Sequence, residues 1–461
     1  MTLITSISGI RGTIGGAAGE GLTPIDIVKF TAAYGTWLKK KHEKATVIIG
    51  RDARLSGEMV RGFVCETLIS LGIDVIDLGL STTPTVEMAV TGFKAQGGII
   101  ITASHNPKQW NALKLLNNKG EFISAKEGET ILKLANKGAF DFSEINNIGI
   151  YKKDKDYIER HIDEILKLPL VDVEAIKKKK FKVVIDCVNS TGGIAVPELL
   201  SRLGVEDVVE LFCAPNGRFP HNPEPLPENL TTISNEVDHL NAHLGIVVDP
   251  DVDRLALVCE DGSMFGEEYT LVSIADYILQ HKKGDTVSNL SSTRALKDVT
   301  EKHKCKYHAS AVGEVNVVAK MKKVKAVIGG EGNGGIILPE LHYGRDALVG
   351  IALFLSHLAK SGKSCSALRA SYPSYVMFKT KMELTPEIDL DSIFSKIEEK
   401  YIKEDIDTTD GLKINFDTEW VHLRKSNTEP IIRIYAESQS ETVAQNLTNK
   451  IKQDIKELIT E

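Results

Sequence analysis

Short apolar runs along this chain alternate with stretches in which apolar residues recur at helical spacing, each switch marked by Gly, Pro or small polar residues. Thr23 before Pro24 reads as an N-cap and first helical position and predicts an amphipathic helix to about Lys41. The pattern then predicts a strand over 45–50, a helix over 56–70, a strand over 73–80, a helix after Pro84 and an apolar run over 98–102. That rhythm is a βα domain with a largely parallel sheet. Similar units follow with different sequences: strands over 181–186 and 244–249 with a helix near 193–203, then strands over 286–290 and 326–329 with a helix after Thr293. The last ninety or so residues change character, with strands over 375–382, 412–416, 419–423 and 431–437 among helices over 391–402 and 441–460. The expected fold is therefore α/β: three βα domains with mixed, largely parallel sheets plus a smaller C-terminal α+β domain.

The chain has 461 residues, too many for a single core, which stops growing near ~250–300. Joints at 151–156, just after Asp261-Gly262 and at 371–373 divide it into 1–150, 151–260, 261–371 and 372–461. No apolar run approaches the ~20 residues needed to cross a bilayer, and MTLITSISGIRG lacks the basic and apolar segments of an export signal, so a cytoplasmic protein with no membrane partner is expected. A net charge of −7 argues against nucleic-acid binding, which needs a cationic surplus. The lysines 177–180 read as a solvated helix end. Six cysteines stand singly, without CxxC or finger spacing, as reduced core thiols do.

Four polar loops follow β-like runs, and open α/β sheets bind ligands at the carboxyl ends of strands. They are ITASHNP (101–107), VVDPDVDR (247–254), IGGEGNGG (328–335) and LRKSNTEP (423–430). In an extended strand Asp249 and Asp253 would stand roughly 13 Å apart, too far for one ion, so Asp249, Asp251 and Asp253 can share a magnesium only if the segment curls, as Pro250 favours. An EF-hand reading places Glu260 at the twelfth position, but Arg254 occupies the sixth, where glycine is required, and the flanks are β-like. An aspartyl-phosphate reading, with Asp249 as nucleophile after an apolar strand, stays open. Ser104, beside His105 and ten residues before Lys114, is a candidate phosphoryl carrier. As a phosphoserine at about −2 beside three aspartates it would need both a divalent cation and cationic side chains, for which Arg254, Lys114 and Arg11 are the candidates. Glu331 and Asn333, on a glycine-rich backbone, suit bidentate bonding to sugar hydroxyls. Arg424, Ser426, Asn427 and Thr428, with Arg433, suit a phosphate dianion.

Taken in this order, the loops make the chain resemble the α-D-phosphohexomutase family along essentially its whole length. SGIRGTIGG and GRDARLSG, with Arg11, Arg51 and Arg54, resemble that family's amino-terminal signatures. The resemblance implies four domains around a central cleft and a reversible shift of phosphate between the 6- and 1-positions of a hexose, through a hexose 1,6-bisphosphate. It implies Ser104 as the phosphorylated serine, ligated to Mg²⁺ with Asp249, Asp251 and Asp253. Arg11, His105 and Lys114 complete the implied catalytic set, Arg254 binds substrate, and Glu331, Gly332 and Asn333 grip the sugar. Arg424, Ser426, Asn427, Thr428 and Arg433 hold its non-reacting phosphate. The partner is then a small sugar phosphate, with the protein a monomer or homodimer. Many members read GExSGH where this chain reads GEGNGG, leaving Gly335 in the histidine position and His342 or Arg345 as replacements. The GEGNGG form resembles members labelled phosphoglucosamine mutases, which favours glucosamine phosphate over glucose or mannose phosphate. A non-catalytic sugar-phosphate sensor is the reading from another class, and turnover separates the two.

Overall fold

The structure is a computed structural model describing residues 2–6, 9–383, 390–425 and 431–460. The chain divides into two compact units, one running through Thr270 and including Asn333–Arg369, the other comprising Leu271–Gly332 and Ala370 onward.

In the first unit a seven-stranded sheet runs in the order Leu3–Ser6, Gly9–Thr13, Trp110–Leu116, Gly97–Ile101, Thr46–Arg51, Asp74–Leu80, Tyr151–Lys153. Helix Pro24–Lys39 starts where Thr23 and Pro24 predict, closed by a capping box with Asp26. The sheet is less parallel than the sequence pattern suggests. Three neighbouring pairs are antiparallel, including Gly97–Ile101 with Trp110–Leu116. The physical reason is connection length: only residues 102–109 join those two strands, whereas a parallel crossover needs about a dozen residues or more. The stretch 151–156, read as a joint, supplies the edge strand Tyr151–Lys153. A second sheet in this unit runs Leu255–Cys259, Leu244–Val248, Lys182–Asp186, Asp207–Leu211, and again the first pair is an antiparallel hairpin. Helix Ala347–Ser361 is buried from Ala347 to Ala359, packed by helices Tyr157–Leu166, Val173–Lys179 and Gly192–Arg202, which is why its sequence is apolar all round. Lys180 ends helix Val173–Lys179 in the left-handed region, as a solvated terminus should.

In the second unit, strands Tyr307–Ser310, Thr286–Asn289 and Ile328–Glu331 pair in parallel. A five-stranded antiparallel sheet, Val376–Glu383, Ile431–Ser438, Trp420–Lys425, Leu412–Asn415, Asp405–Asp407, carries helices Leu390–Lys400 and Glu441–Thr460 over a core centred on Ile434, Ala444 and Ile451. The architecture is three α/β domains plus an α+β terminal domain. No helix among the described residues is long and apolar enough to cross a membrane, and all six cysteines are free thiols.

The first sheet is tied to its covering helix by one hydroxyl. Tyr34 Oη donates to Leu116 O at 2.6 Å and lies 3.2 Å from Gly98 O, both in the core. Tyr34→Phe leaves those carbonyls short of a donor and is expected to cost about 1 kcal/mol in denaturant unfolding. Gly97→Ala should cost more, because its Cβ would fall 2.0 Å from Tyr34 Oη.

Candidate active site

The loop 102–109 takes its shape from one buried arginine. Arg54, with no exposed side-chain surface, pairs with Asp52 at 3.0 Å and donates its remaining N–H groups to the carbonyls of Ser104, Asn106, Pro107 and Trp110. A planar fork with five donors suits that task as no other side chain does. Asp52 extends the control: it accepts from Thr102 Oγ1 at 2.7 Å, and that oxygen accepts from Ser104 N at 2.9 Å. Ser104 is thereby held at φ 48° and left 7% exposed.

The acidic loop is a second hairpin turn. Val248 pairs with Leu255, so residues 249–254 must reverse the chain. Val252 N donates to Asp249 O at 3.1 Å with Val252 at φ 61°, and Asp249 Oδ1 accepts from the N–H groups of Asp253 and Arg254, both at 3.1 Å. The curl predicted for a shared ion is therefore present. All three aspartates are completely buried, with one oxygen from each lying within 4.8 Å of the others. Asp251 Oδ2 receives Lys114 Nζ at 2.7 Å and Thr83 Oγ1 at 2.6 Å, while Asp253 Oδ2 receives Arg345 Nη2 at 2.6 Å. Asp251 Oδ1 and Asp253 Oδ1 are buried without a hydrogen-bond donor. Oxygens in that condition, from a set of three carboxylates, fit a hard divalent cation.

The two loops meet. Ser104 Oγ donates to Asp249 Oδ2 at 2.7 Å, across 145 residues of sequence. Above them lies a cavity of about 230 Å³ lined by Arg11, His105, Lys114, Arg254 and Arg345, so four cations face three carboxylates. Burial pushes Asp249 well above the usual carboxylate range, aided by the charges of Asp253 and Asp251. Asp251 bears the same burial yet ends below that range, because Lys114 and Thr83 favour its charged form. Burial opposes the charge on Lys114, but Asp251 and Asp253 outweigh it and raise the ammonium's pKa. Burial, then the charges of Arg254 and Arg345, drive His105 down to about 2, so its imidazole is neutral with Nδ1 3.3 Å from Ser104 Oγ.

Four domain families match the chain in order: the phosphoglucomutase/phosphomannomutase alpha/beta/alpha domain I over residues 3–142, domain II over 159–262 and domain III over 266–375, and the C-terminal domain over 388–453. The chain belongs to the phosphoglucomutase/phosphomannomutase family. A phosphoglucomutase/phosphomannomutase of Thermococcus kodakarensis is 39% identical over 440 residues, covering 94% of this chain and 95% of the relative. A phosphoglucosamine/phosphogalactosamine mutase of Sulfurisphaera tokodaii is 33% identical over 456 residues, 96% of this chain and 97% of that one. Among solved structures, a phosphoglucomutase/phosphomannomutase family protein of Burkholderia thailandensis superposes with a TM-score of 0.86 at 25% identity, covering 98% of this chain and 97% of the other. This phosphohexomutase is thus an enzyme of a metal-dependent family.

Within the family frame, the first unit brings together Arg11, Ser104, His105, Lys114, Arg254 and the three aspartates. Asn333 belongs to the same unit, where its Oδ1 accepts from Gly335 N at 3.3 Å. In the other unit Glu331 Oε1 accepts from Asn289 Nδ2 at 2.9 Å and Gly313 N at 3.2 Å, and Gly332 N donates to Ser292 Oγ at 3.0 Å. Arg424 there pairs with Asp410 at 3.0 Å and lies opposite Arg433 across two strands. Ser426, Asn427 and Thr428 lie outside the described residues.

Of the two replacements suggested for the histidine, the structure separates one from the other. Arg345 lines the cavity and reaches Asp253. His342 instead lies between Glu87 and Asp346, each at 3.3 Å. Burial opposes its charge, but Asp346 and Glu87 prevail and lift it to about 10. A Cβ on Gly335 would fall 2.3 Å from Arg345 Cδ, so the space a side chain at 335 would need is filled by the arginine. Two contributors went unread in the sequence. Thr83, in a threonine-rich run that signals only a helix start, bonds Asp251 through Oγ1 and also donates its N–H to Asp251 O. Arg54 was visible only as part of a signature.

Gly335→Ala should displace Arg345 from Asp253 and reduce kcat/KM for hexose-phosphate isomerisation roughly tenfold or more, the worth of a charge-assisted hydrogen bond. The double variant Gly335→Ala/Arg345→Ala should be no slower than Arg345→Ala alone. Additive losses in steady-state kinetics would show instead that the two positions act separately.

Proposed function

We propose that this enzyme interconverts hexose 6-phosphate and hexose 1-phosphate with Ser104 as the phosphoryl carrier. The observation that carries the reading is the 2.7 Å bond from Ser104 Oγ to Asp249, which sets the serine hydroxyl of the TASHNP loop against the three-carboxylate turn, while the Thr102 hydroxyl is spent on Asp52 and Ser104 N. In the first half-reaction the phosphorus–Oγ bond of phospho-Ser104 breaks as a bond forms to the free hydroxyl of the sugar. The proton leaving that hydroxyl replaces the phosphoryl group on Oγ, so none is consumed. The resulting hexose 1,6-bisphosphate returns its other phosphate to Ser104 after turning around, which also makes it the expected primer for dephosphorylated enzyme.

Positioning and charge compensation account for most phosphoryl-transfer catalysis. Arg11, Arg254 and Arg345 line the cavity in which the transferring group would sit, and Lys114 holds Asp251 in its charged form. Asp249, Asp251 and Asp253, with an oxygen of the phosphoserine, would hold Mg²⁺, which would neutralise charge on the phosphoryl oxygens. Glu331, Gly332 and Asn333 are the proposed sugar grip. Arg424, Ser426, Asn427, Thr428 and Arg433 are the proposed holders of the phosphate that does not react.

Glucosamine phosphate is the preferred substrate in this reading. The GEGNGG loop motivates it, and a relative 33% identical carries a phosphoglucosamine/phosphogalactosamine name. Glucose and mannose phosphates are the second reading, favoured by the relative 39% identical. An aspartyl-phosphate route fits less well, since Asp249 is already engaged by two backbone N–H groups and the serine hydroxyl.

Turnover of glucosamine, N-acetylglucosamine, glucose and mannose 6-phosphates, with magnesium and a hexose bisphosphate primer, should rank glucosamine first. Ser104→Ala should lower that turnover by about 10³-fold or more and abolish the added phosphate seen by intact mass. Near-normal activity in that variant, or phosphate trapped on Asp249 instead, would reject the serine carrier, and tight binding without turnover would make the protein a sensor.

A further inference from the structure

A second polar cluster is buried in the first unit, outside the residues that line the cavity. His161, on helix Tyr157–Leu166, and Asp346, the N-cap of helix Ala347–Ser361, are fully buried, and the His342 side chain is only 12% exposed. Asp346 Oδ2 lies 3.0 Å from His161 Nε2 and 3.3 Å from His342 Nε2. These three donor atoms all fall within 4.8 Å of one another. The outward nitrogens are braced by helix Thr83–Gly92: His161 Nδ1 lies 3.0 Å from Thr85 Oγ1, and His342 Nδ1 lies 3.3 Å from Glu87 Oε2. Asp346 Oδ1 is spent on the helix cap, accepting from Leu348 N and Val349 N, which leaves Oδ2 as the inward donor.

Two features of this arrangement suit a metal ion. In a tetrahedral site with bonds of ~2.0–2.1 Å, neighbouring donor atoms stand roughly 3.3 Å apart, and the two separations around Asp346 Oδ2 are close to that. Metal-binding imidazoles usually have their second nitrogen set by a carboxylate or other oxygen, which fixes the tautomer and ring orientation; here Thr85 Oγ1 lies within hydrogen-bond distance of His161 Nδ1, and the Glu87 carboxylate faces His342 Nδ1 at 3.3 Å.

We propose that His161, His342 and Asp346 bind a zinc ion, with a water in the fourth position and Glu87 and Thr85 orienting the imidazoles. Two imidazole nitrogens and one carboxylate oxygen select zinc over magnesium, which prefers an all-oxygen shell. The ion's role is positioning. Its ligands and their braces come from segments matching family domains I, II and III, so it staples three of them. Two chain neighbours of the cluster support the acidic loop: Thr83 precedes Thr85 by two residues and bonds Asp251, and Arg345 adjoins Asp346 and bonds Asp253. The proposal stands apart from the sugar-phosphate reading, and neither decides the other.

Full-length protein without an affinity tag, purified in the absence of chelators, should contain about one zinc per chain by plasma mass spectrometry, not displaced by excess magnesium. His342→Gln and His161→Gln should lose it, and Asp251→Asn should keep it. Protein grown in zinc-poor, cobalt-supplemented medium should show the intense visible bands of four-coordinate Co²⁺. Stripping the metal should lower the thermal midpoint by several degrees. Wild type with no stoichiometric zinc overturns the proposal. So does zinc unchanged in both histidine variants, which marks an adventitious ion, or zinc lost in Asp251→Asn and kept in the histidine variants. Should the histidine variants fail to fold, the wild-type cobalt spectrum decides, and weak six-coordinate bands overturn the proposal.

Discussion

Three carboxylates buried in a single turn repel one another at short range, and the surroundings of Asp249, Asp251 and Asp253 are organised by the need to offset that repulsion. Backbone N–H groups, a serine hydroxyl, a threonine hydroxyl, a lysine and an arginine each take up part of the negative charge. None of them satisfies Asp251 Oδ1 or Asp253 Oδ1, and the charge left there is what a cation and the oxygens of a phosphoryl group would complete. Folding this turn without ligands is costly, so its partners come from segments that are themselves rigidly held, including the strand bearing Lys114 and the capped start of the helix bearing Thr83.

The chemistry sits on hairpins within an otherwise βα framework. Both the serine loop and the acidic loop leave a strand at its carboxyl end and return at once as an antiparallel neighbour, so each is anchored on both sides by sheet hydrogen bonds. A loop pinned at both ends can hold an unfavourable conformation, as at Ser104 and Val252, without drifting to a relaxed one. Arg54 adds a third anchor to the serine loop from below.

Much of this was legible in the sequence. Apolar runs bounded by turn residues placed the strands and helices read from them within a residue or two, though helices such as Glu267–His281 and Ala347–Ser361 were not read, and acidic or glycine-bearing loops placed after such runs pointed to the chemistry. What the pattern could not carry was direction and reach. Trp110–Leu116 looks like any amphipathic run, and nothing in it signals an antiparallel return, so the first sheet was expected to be more parallel than it is. Arg345 and His342 are three residues apart and equally plausible as cations near a sugar loop. Their separation is decided by Glu87, on a helix some 250 residues earlier, which captures one imidazole and leaves the guanidinium to face the cavity. Thr83 was unreadable for the same reason: a helix-starting threonine bonds its own backbone in most settings, and only the tertiary arrangement turns it towards Asp251.

The positive φ at Ser104 narrows which alcohol can occupy that position. A left-handed backbone tolerates an unbranched side chain at moderate strain, but a methyl group on Cβ makes it a severe outlier. Threonine, the other aliphatic alcohol among the amino acids, is therefore a poor substitute here even though its hydroxyl has the same reactivity. Val252, β-branched at φ 61° in the facing turn, shows that this fold does hold such a residue when its loop is pinned, so backbone stereochemistry, and not the acidity of the oxygen, weights the position towards serine at a cost in strain for threonine.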